Sequence, residues 1–227
     1  YEMNRIILIT ACVIAISSCA PSRYVRPLDE GQKAITGNLG GPLIKFSGMT
    51  IPLPLTAISL GYGLKDDLTI YGSMHTTALS FGVIQGDFGV VKEFIKPDSL
   101  LKFKPGFSMS YTTNLLVDTW EKNFKFWPQI DANLFWNFNL KRKDYFYLGV
   151  SNWFELAARR AHGEPQLNRW VFNPQAGITF DQPNWSYNVE AKYLAPNFSN
   201  QNIVGDYAKP WGENGGLGIY FSISKKF

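Results

Sequence analysis

The chain has 227 residues, enough for one sizeable domain, with 45% hydrophobic, 15% aromatic and 18% charged residues. Charge is well below the ordinary share of about a quarter. The net charge of +4 comes from scattered basic residues, so there is no nucleic-acid-binding footprint.

The N-terminal stretch reads as a processing signal rather than as part of a fold. Asn4-Arg5 is a short positive region after Met3, with Tyr1-Glu2 ahead of it reading as upstream remnant, and Ile6 to Ile16 is an apolar run. That run is too short for a spanning helix, which needs about 20 residues. Ile16-Ser17-Ser18-Cys19 resembles the bacterial lipobox, an aliphatic and two small residues before Cys. The resemblance implies removal of residues 1–18 and a diacylglycerol on Cys19, with residues 19–30 as a lipidated periplasmic tether. Cys12 falls in the removed segment, so Cys19 is the one Cys of the expected mature chain. No Asp follows Cys19 directly, which in that family implies delivery to the outer membrane. An ordinary secretory signal with an incidental Cys is the alternative.

From Gly31 onward the pattern is of strands separated by turn residues, without a convincing amphipathic helix. A strand is expected near Gln32–Gly40. The clearest hairpin follows: Thr56–Leu64, the turn Lys65-Asp66-Asp67, and Leu68–Thr76. Ile58, Leu60, Tyr62 and Leu64 share one face of its first strand, with Ser59, Gly61 and Gly63 on the other, because side chains alternate. On its second strand Leu68, Ile70 and Met74 oppose Thr69, Tyr71, Ser73 and His75. Further strands are expected near Val83–Phe94, Phe103–Tyr111, Gln129–Phe138, Tyr145–Leu156, Phe172–Phe180, Tyr187–Tyr193 and Leu217–Phe227. The total is ten, with eight to twelve as the range.

Short turns at Lys65–Asp67, Lys96–Ser99, Lys141–Asp144 and Asp181–Asn184 alternate mainly with longer connections at 41–55, 115–123, 157–169 and 196–213. The link near Thr77–Ser80 is expected to be short. Many strands have the length that crosses a bilayer, and aromatics gather near strand ends. Trp185, Tyr145, Phe138 and Phe227 are expected at one rim, and Trp127, Trp153, Trp170 and Tyr111 at the other. A soluble sandwich or lipocalin-like barrel also alternates, with its apolar face inward, and is the alternative fold.

The last strand carries the most specific resemblance. Leu217, Ile219, Phe221, Ile223 and Phe227 alternate with Gly218, Tyr220, Ser222 and Ser224. A long alternating strand ending in Phe resembles the closing strand of bacterial outer-membrane β-barrels. Gly218, Phe221 and Ile223 also fit the signal that the outer-membrane assembly machinery reads, although Gly216 stands where a polar residue is usual. The resemblance implies an all-β, transmembrane, antiparallel up-and-down barrel over residues 31–227, located in the outer membrane. Its implied partners are outer-membrane lipids, the assembly machinery and an envelope protein. An even strand number places both termini on the periplasmic side.

Inward ionisable candidates are Asp87, Glu93, Lys104, Asp131, Glu155, Glu190 and Lys192. In so narrow a lumen they are expected to pair with one another and fill it. His75 with Ser73, and Asp87 on the next strand, is the one constellation that suggests nucleophilic catalysis. Arg159-Arg160-Ala161-His162 and Lys141-Arg142-Lys143 read as solvated loop charges. Two His and no spaced Cys set leave no metal site, and no cofactor motif is present. The expected role is a non-enzymatic structural or partner-binding envelope component. The alternatives are a narrow transporter for a small or hydrophobic solute and a barrel hydrolase built on His75.

Overall fold

A computed structural model describes residues 24–46, 48–97, 104–120, 122–139, 143–156, 169–199, 207–208 and 214–227. Among these, the strands are β1 (Lys33–Phe46), β2 (Met49–Pro52), β3 (Thr56–Lys65), β4 (Leu68–His75), β5 (Val83–Ile95) and β6 (Gly106–Asp118). They continue with β7 (Asn123–Asn137), β8 (Tyr145–Phe154), β9 (Trp170–Asp181), β10 (Trp185–Ser199) and β11 (Asn214–Lys226). A single helical turn, α1 (Thr76–Leu79), joins β4 to β5.

Each long strand pairs antiparallel with the next, and β11 pairs back onto β1 from Ala34↔Lys226 to Pro42↔Gly218. The sheet is therefore a closed barrel. The four-residue β2 pairs with the far end of β1, Leu43↔Pro52 to Phe46↔Met49, and lies outside the wall. Ten strands make the wall, as the sequence predicts. Lys33 and Phe227 exchange backbone hydrogen bonds of 3.2 and 2.9 Å, so both ends of the wall meet at one rim, the terminal rim. The opposite rim carries the ends of β8 and β10 and the starts of β9 and β11.

The two faces follow the pleat. Outward residues are apolar and exposed: Ile58, Leu60, Phe88, Leu148, Phe221 and Ile223 among them, at 45 to 60% where Leu60 is the most open. Inward residues are polar and buried, with Ser59, Thr69, Ser108, Ser151, Asn173, Glu190 and Lys192 all fully enclosed. This is the reverse of a water-soluble barrel, whose apolar face is inside.

Several boundaries differ from the sequence expectation. Alternation continues past Tyr111, so β6 reaches Asp118 and the expected long loop at 115–123 shrinks to 119–122. The expected turn at Lys96–Ser99 becomes a longer link between Ile95 and Gly106. The contrast between short and long connections is weaker than the sequence suggests. Trp127, Trp153 and Tyr145, expected in rim belts, are buried in the lumen, because strand parity turns them inward. Trp170, Trp185, Phe138 and Phe227 are exposed at strand ends as expected, whereas Tyr111, also exposed, lies in the middle of β6 rather than at a rim.

Candidate functional site

The interior is filled in three tiers. Nearest the loop rim, Val83, Leu116, Trp127 and Trp153 form a buried apolar cluster, packed by Ala78, Phe81 and Val171. Hydrogen bonds from Thr56 to the Thr76 and Thr77 hydroxyls, 2.7 and 2.8 Å, hold α1 over the end of β3. Below this stopper His75 Nε2 meets Asp87 Oδ2 at 3.0 Å, with both side chains largely enclosed. Asp87 is directly cross-strand from Ser73, and its contact with His75 is diagonal. The sequence placed Asp87 roughly opposite His75; the register offsets it by two residues. Ser73 Oγ is buried and makes no hydrogen bond, so the base-to-nucleophile link of a triad is not formed.

The middle tier is a polar network. Lys192 Nζ lies 3.2 Å from Glu190 Oε1, and both side chains are fully buried. The Tyr147 hydroxyl donates to Glu190 at 2.7 Å, and Lys192 sits over the Tyr220 ring at 5.8 Å. Across the lumen Gln129 donates to Asp131 at 2.9 Å and to Ser151 at 3.0 Å, while Ser110 donates to Asp131 at 3.1 Å. Gln175 donates to Asn133 at 2.8 Å. Buried charge without such partners would be costly, so the expectation that inward ionisable groups satisfy one another holds for these residues. Lys104 and Glu155 depart from it. Lys104 precedes β6 and is exposed, and Glu155 lies beyond the end of β8, half-buried.

The tier at the terminal rim is made by the chain's own N-terminal segment. Residues 24–30, expected in a periplasmic tether, are seated in the lumen. Tyr24, Val25 and Leu28 are buried. The Leu28 amide donates to Thr69 Oγ1 at 2.8 Å, and the Tyr24 hydroxyl shares a 3.2 Å bond with Thr36. Val25 packs with Phe135, Tyr145 and Tyr147, and its carbonyl accepts from Ser108. Arg26 reaches Glu93 at 3.5 Å, donates to Asn137 at 3.3 Å and covers the Phe135 ring. At the mouth Lys143 Nζ contacts both Asp29 oxygens, at 2.6 and 2.8 Å, and holds the Asp29 carboxyl below the usual carboxylate range. The segment fits because β3 presents Ser59, Gly61 and Gly63 inward. The Tyr24 ring lies where a Gly61 side chain would be, and the Asp29 backbone where a Gly63 side chain would be.

A cavity of about 540 Å³ remains between this plug and the inner face of β9, β10 and β11, at the terminal rim. It was not foreseen from sequence. Nor were the interior rings Phe135 and Tyr147. Their signal was present in the inward glycines Gly106 and Gly177, which sit cross-strand from them. Cys19, Arg159–His162 and Lys141-Arg142 lie outside the described residues. Among the described residues no group of His, Cys, Asp and Glu is arranged to hold a metal.

No protein-family model matches the chain, and no curated protein matches it in sequence. Among solved structures, the Yersinia pestis outer membrane protein Ail in a nanodisc aligns at 13% identity and TM-score 0.33, over 87% of this chain and 100% of that one. An outer membrane channel from Pseudomonas putida F1 aligns at 8% identity and TM-score 0.43, over 92% and 100%. The outer membrane protein OprG from Pseudomonas aeruginosa aligns at 11% identity and TM-score 0.26, over 90% and 99%. The barrel assignment rests on the strand pairing of this chain itself.

Proposed function

We propose that this chain is a lipid-anchored β-barrel of a Gram-negative outer membrane, with a non-enzymatic structural or partner-binding role and a lumen that does not conduct. One observation carries the reading: a closed barrel whose exposed belt is apolar and whose interior is polar and filled. Backbone in hydrocarbon must satisfy its own hydrogen bonds, and a closed barrel does so while its outward side chains meet lipid. The apolar stopper, polar network and plug stack along the lumen.

In this reading the terminal rim faces the periplasm, where the assembly machinery engages β11 and an envelope protein meets the rim. The lipid rests on Ile16-Ser17-Ser18-Cys19. A chain bound by both barrel and several acyl chains is anchored twice, at about 0.8 kcal/mol per buried CH₂ of lipid.

The test is heat-modifiable migration of the envelope fraction, run beside palmitate labelling of wild type and Cys19→Ala. A band shift is expected, with label lost in the variant. A soluble fraction without a shift overturns the barrel, and label retained by Cys19→Ala overturns the lipid site. Purified protein in liposomes is expected to give no conductance or solute flux; flux would favour the transporter.

The His75–Asp87 contact supports the hydrolase as the second reading. It requires activity on ester, lipid or peptide substrates that His75→Ala abolishes, and no activity in the wild type ends it.

A further inference from the structure

On the outer wall, where β1 meets β11 at the terminal rim, two cations stand among aromatic rings. Strand parity turns Lys33 and Lys225 outward, in line with the exposed Ile35 and Ile223. Lys33 is cross-strand from Tyr62 of β3 and exchanges backbone hydrogen bonds with Phe227. Lys225 is cross-strand from Ile35 on one side and from Trp185 on the other. Its ammonium lies 4.9 Å from the centre of the Trp185 ring and 5.9 Å from that of Phe227. The two lysines are thus diagonal neighbours on paired strands, roughly 7–8 Å apart at the backbone by sheet geometry. Long side chains reach across that distance.

Neither ammonium forms an ion pair with a carboxylate among the described residues. The carboxylates of this rim are engaged elsewhere: Asp67 with Lys92 at 2.8 Å, Asp29 with Lys143 at 2.6 Å, and Asp181 with Lys226 at 2.6 Å. Asp66 lines the mouth of the lumen, where it accepts the Glu30 amide. Lys65, Lys96 and Lys104 also lack such a pair, but they lie at the end of β3 and in the β5–β6 connection, apart from these rings. Like charges side by side repel, and the apolar belt next to Lys33 and Lys225 lowers the effective dielectric. An anion between them removes that cost.

We infer that this patch binds the phosphate of an anionic phospholipid, bridged by Lys33 and Lys225, with the glycerol and upper acyl chain along Trp185, Phe227 and Tyr62. All three rings are exposed, and rings of this kind sit at headgroup level. Lysine stems run along apolar surface and carry their charge to the headgroups, and anionic leaflets attract basic residues. A lipid suits the site better than free phosphate, because the cations stand on open wall beside the apolar belt and not in an enclosed polar pocket. The inference rests on the membrane-barrel reading, but not on the lipid at Cys19 or on which side of the membrane the rim faces.

The test is quenching of tryptophan fluorescence in the full chain, reconstituted in phosphatidylcholine vesicles. A fraction of either phosphatidylglycerol or phosphatidylcholine, brominated high on its acyl chain, is the probe. Each preparation is first checked for the heat-dependent band shift, and the signal lost in Trp185→Phe defines the part that reports on the patch. Half-maximal quenching of that part is expected at about fivefold less brominated phosphatidylglycerol than brominated phosphatidylcholine. The preference should vanish in Lys33→Gln/Lys225→Gln and persist in Lys33→Arg/Lys225→Arg. Lys65→Gln/Lys104→Gln makes the same change of net charge and should keep it. Equal quenching by the two lipids in the wild type overturns the site. So does a preference that survives Lys33→Gln/Lys225→Gln or is lost in Lys65→Gln/Lys104→Gln. A preference abolished by inorganic phosphate overturns the lipid assignment in favour of free phosphate. Quenching by neither lipid, with no band shift, overturns the membrane reading and this site with it.

Discussion

Interior rings in this barrel are seated on inward glycines. Phe135 lies against Gly106, Tyr147 against Gly177, Tyr71 against Gly89 and Tyr220 against Gly218. The lumen is too narrow for a ring and a side chain at the same level, so the glycine supplies the space. Gly177→Val is expected to destabilise by about 1–3 kcal/mol, because the added atoms meet the Tyr147 ring. Gly72→Val is the contrast. It lies on the outer face, where a Cβ would meet Asp87 O at 3.5 Å and Phe88 Cβ at 3.9 Å, both ordinary contacts. With β-propensity favouring Val, its effect is expected to be neutral or stabilising. The temperature at which the heat-modifiable band converts separates the two. Lys192→Met removes the cation beside Glu190 in a fully buried pair. A loss of about 3–5 kcal/mol in urea unfolding is expected, with much of it regained in Lys192→Met/Glu190→Gln.

At the scale of elements, the plug is the one that strand patterns could not reveal. Residues 24–30 are irregular, so they have no period to read, yet Tyr24, Val25 and Leu28 are buried in the lumen. The available clue was indirect: an inward face of Ser59, Gly61 and Gly63 leaves a strip of wall with almost no side chains. Val25→Asp puts an unpaired carboxylate among Phe135, Tyr145 and Tyr147, and is expected to release the plug. Faster cleavage within residues 24–30 by a protease would report it. The Asp29–Lys143 pair adds a pH dependence. The Asp29 pKa is lowered in the folded state, chiefly by its hydrogen bond to Lys143, so its contribution is full above the unfolded value. That contribution is lost as pH falls through the lower folded value. Both side chains are more than half exposed, so the effect is at most about 1 kcal/mol. Amide exchange across residues 24–30, compared at matched intrinsic rates, is expected to quicken below about pH 4. Unchanged protection there would remove this role from the pair.

For the whole molecule the decisive feature is the β1–β11 seam, which joins the two ends of the chain and abolishes both sheet edges. Gly40 lies on it with φ at 142°, its Cα facing the Ile219 carbonyl. Gly40→Val combines an unfavourable φ with a direct collision against backbone, which cannot yield as a side chain does. It is expected to lower the recovered heat-modifiable band several-fold more than Gly177→Val, and equal recovery would show that the seam tolerates repacking. Much of the architecture was legible beforehand. The ten strands, their inward and outward faces and the closing role of the last strand all follow from a side-chain period of two, which is a local property of the chain. Local period also carries Glu190 and Lys192 inward. It does not say that they meet each other, that Trp127 and Trp153 close the loop rim, that His75 contacts Asp87 while Ser73 stands apart, or that residues 24–30 fold back into the lumen. Those depend on cross-strand register and on contacts between residues far apart in sequence, and only the closed tertiary structure sets which of them share the same few ångströms.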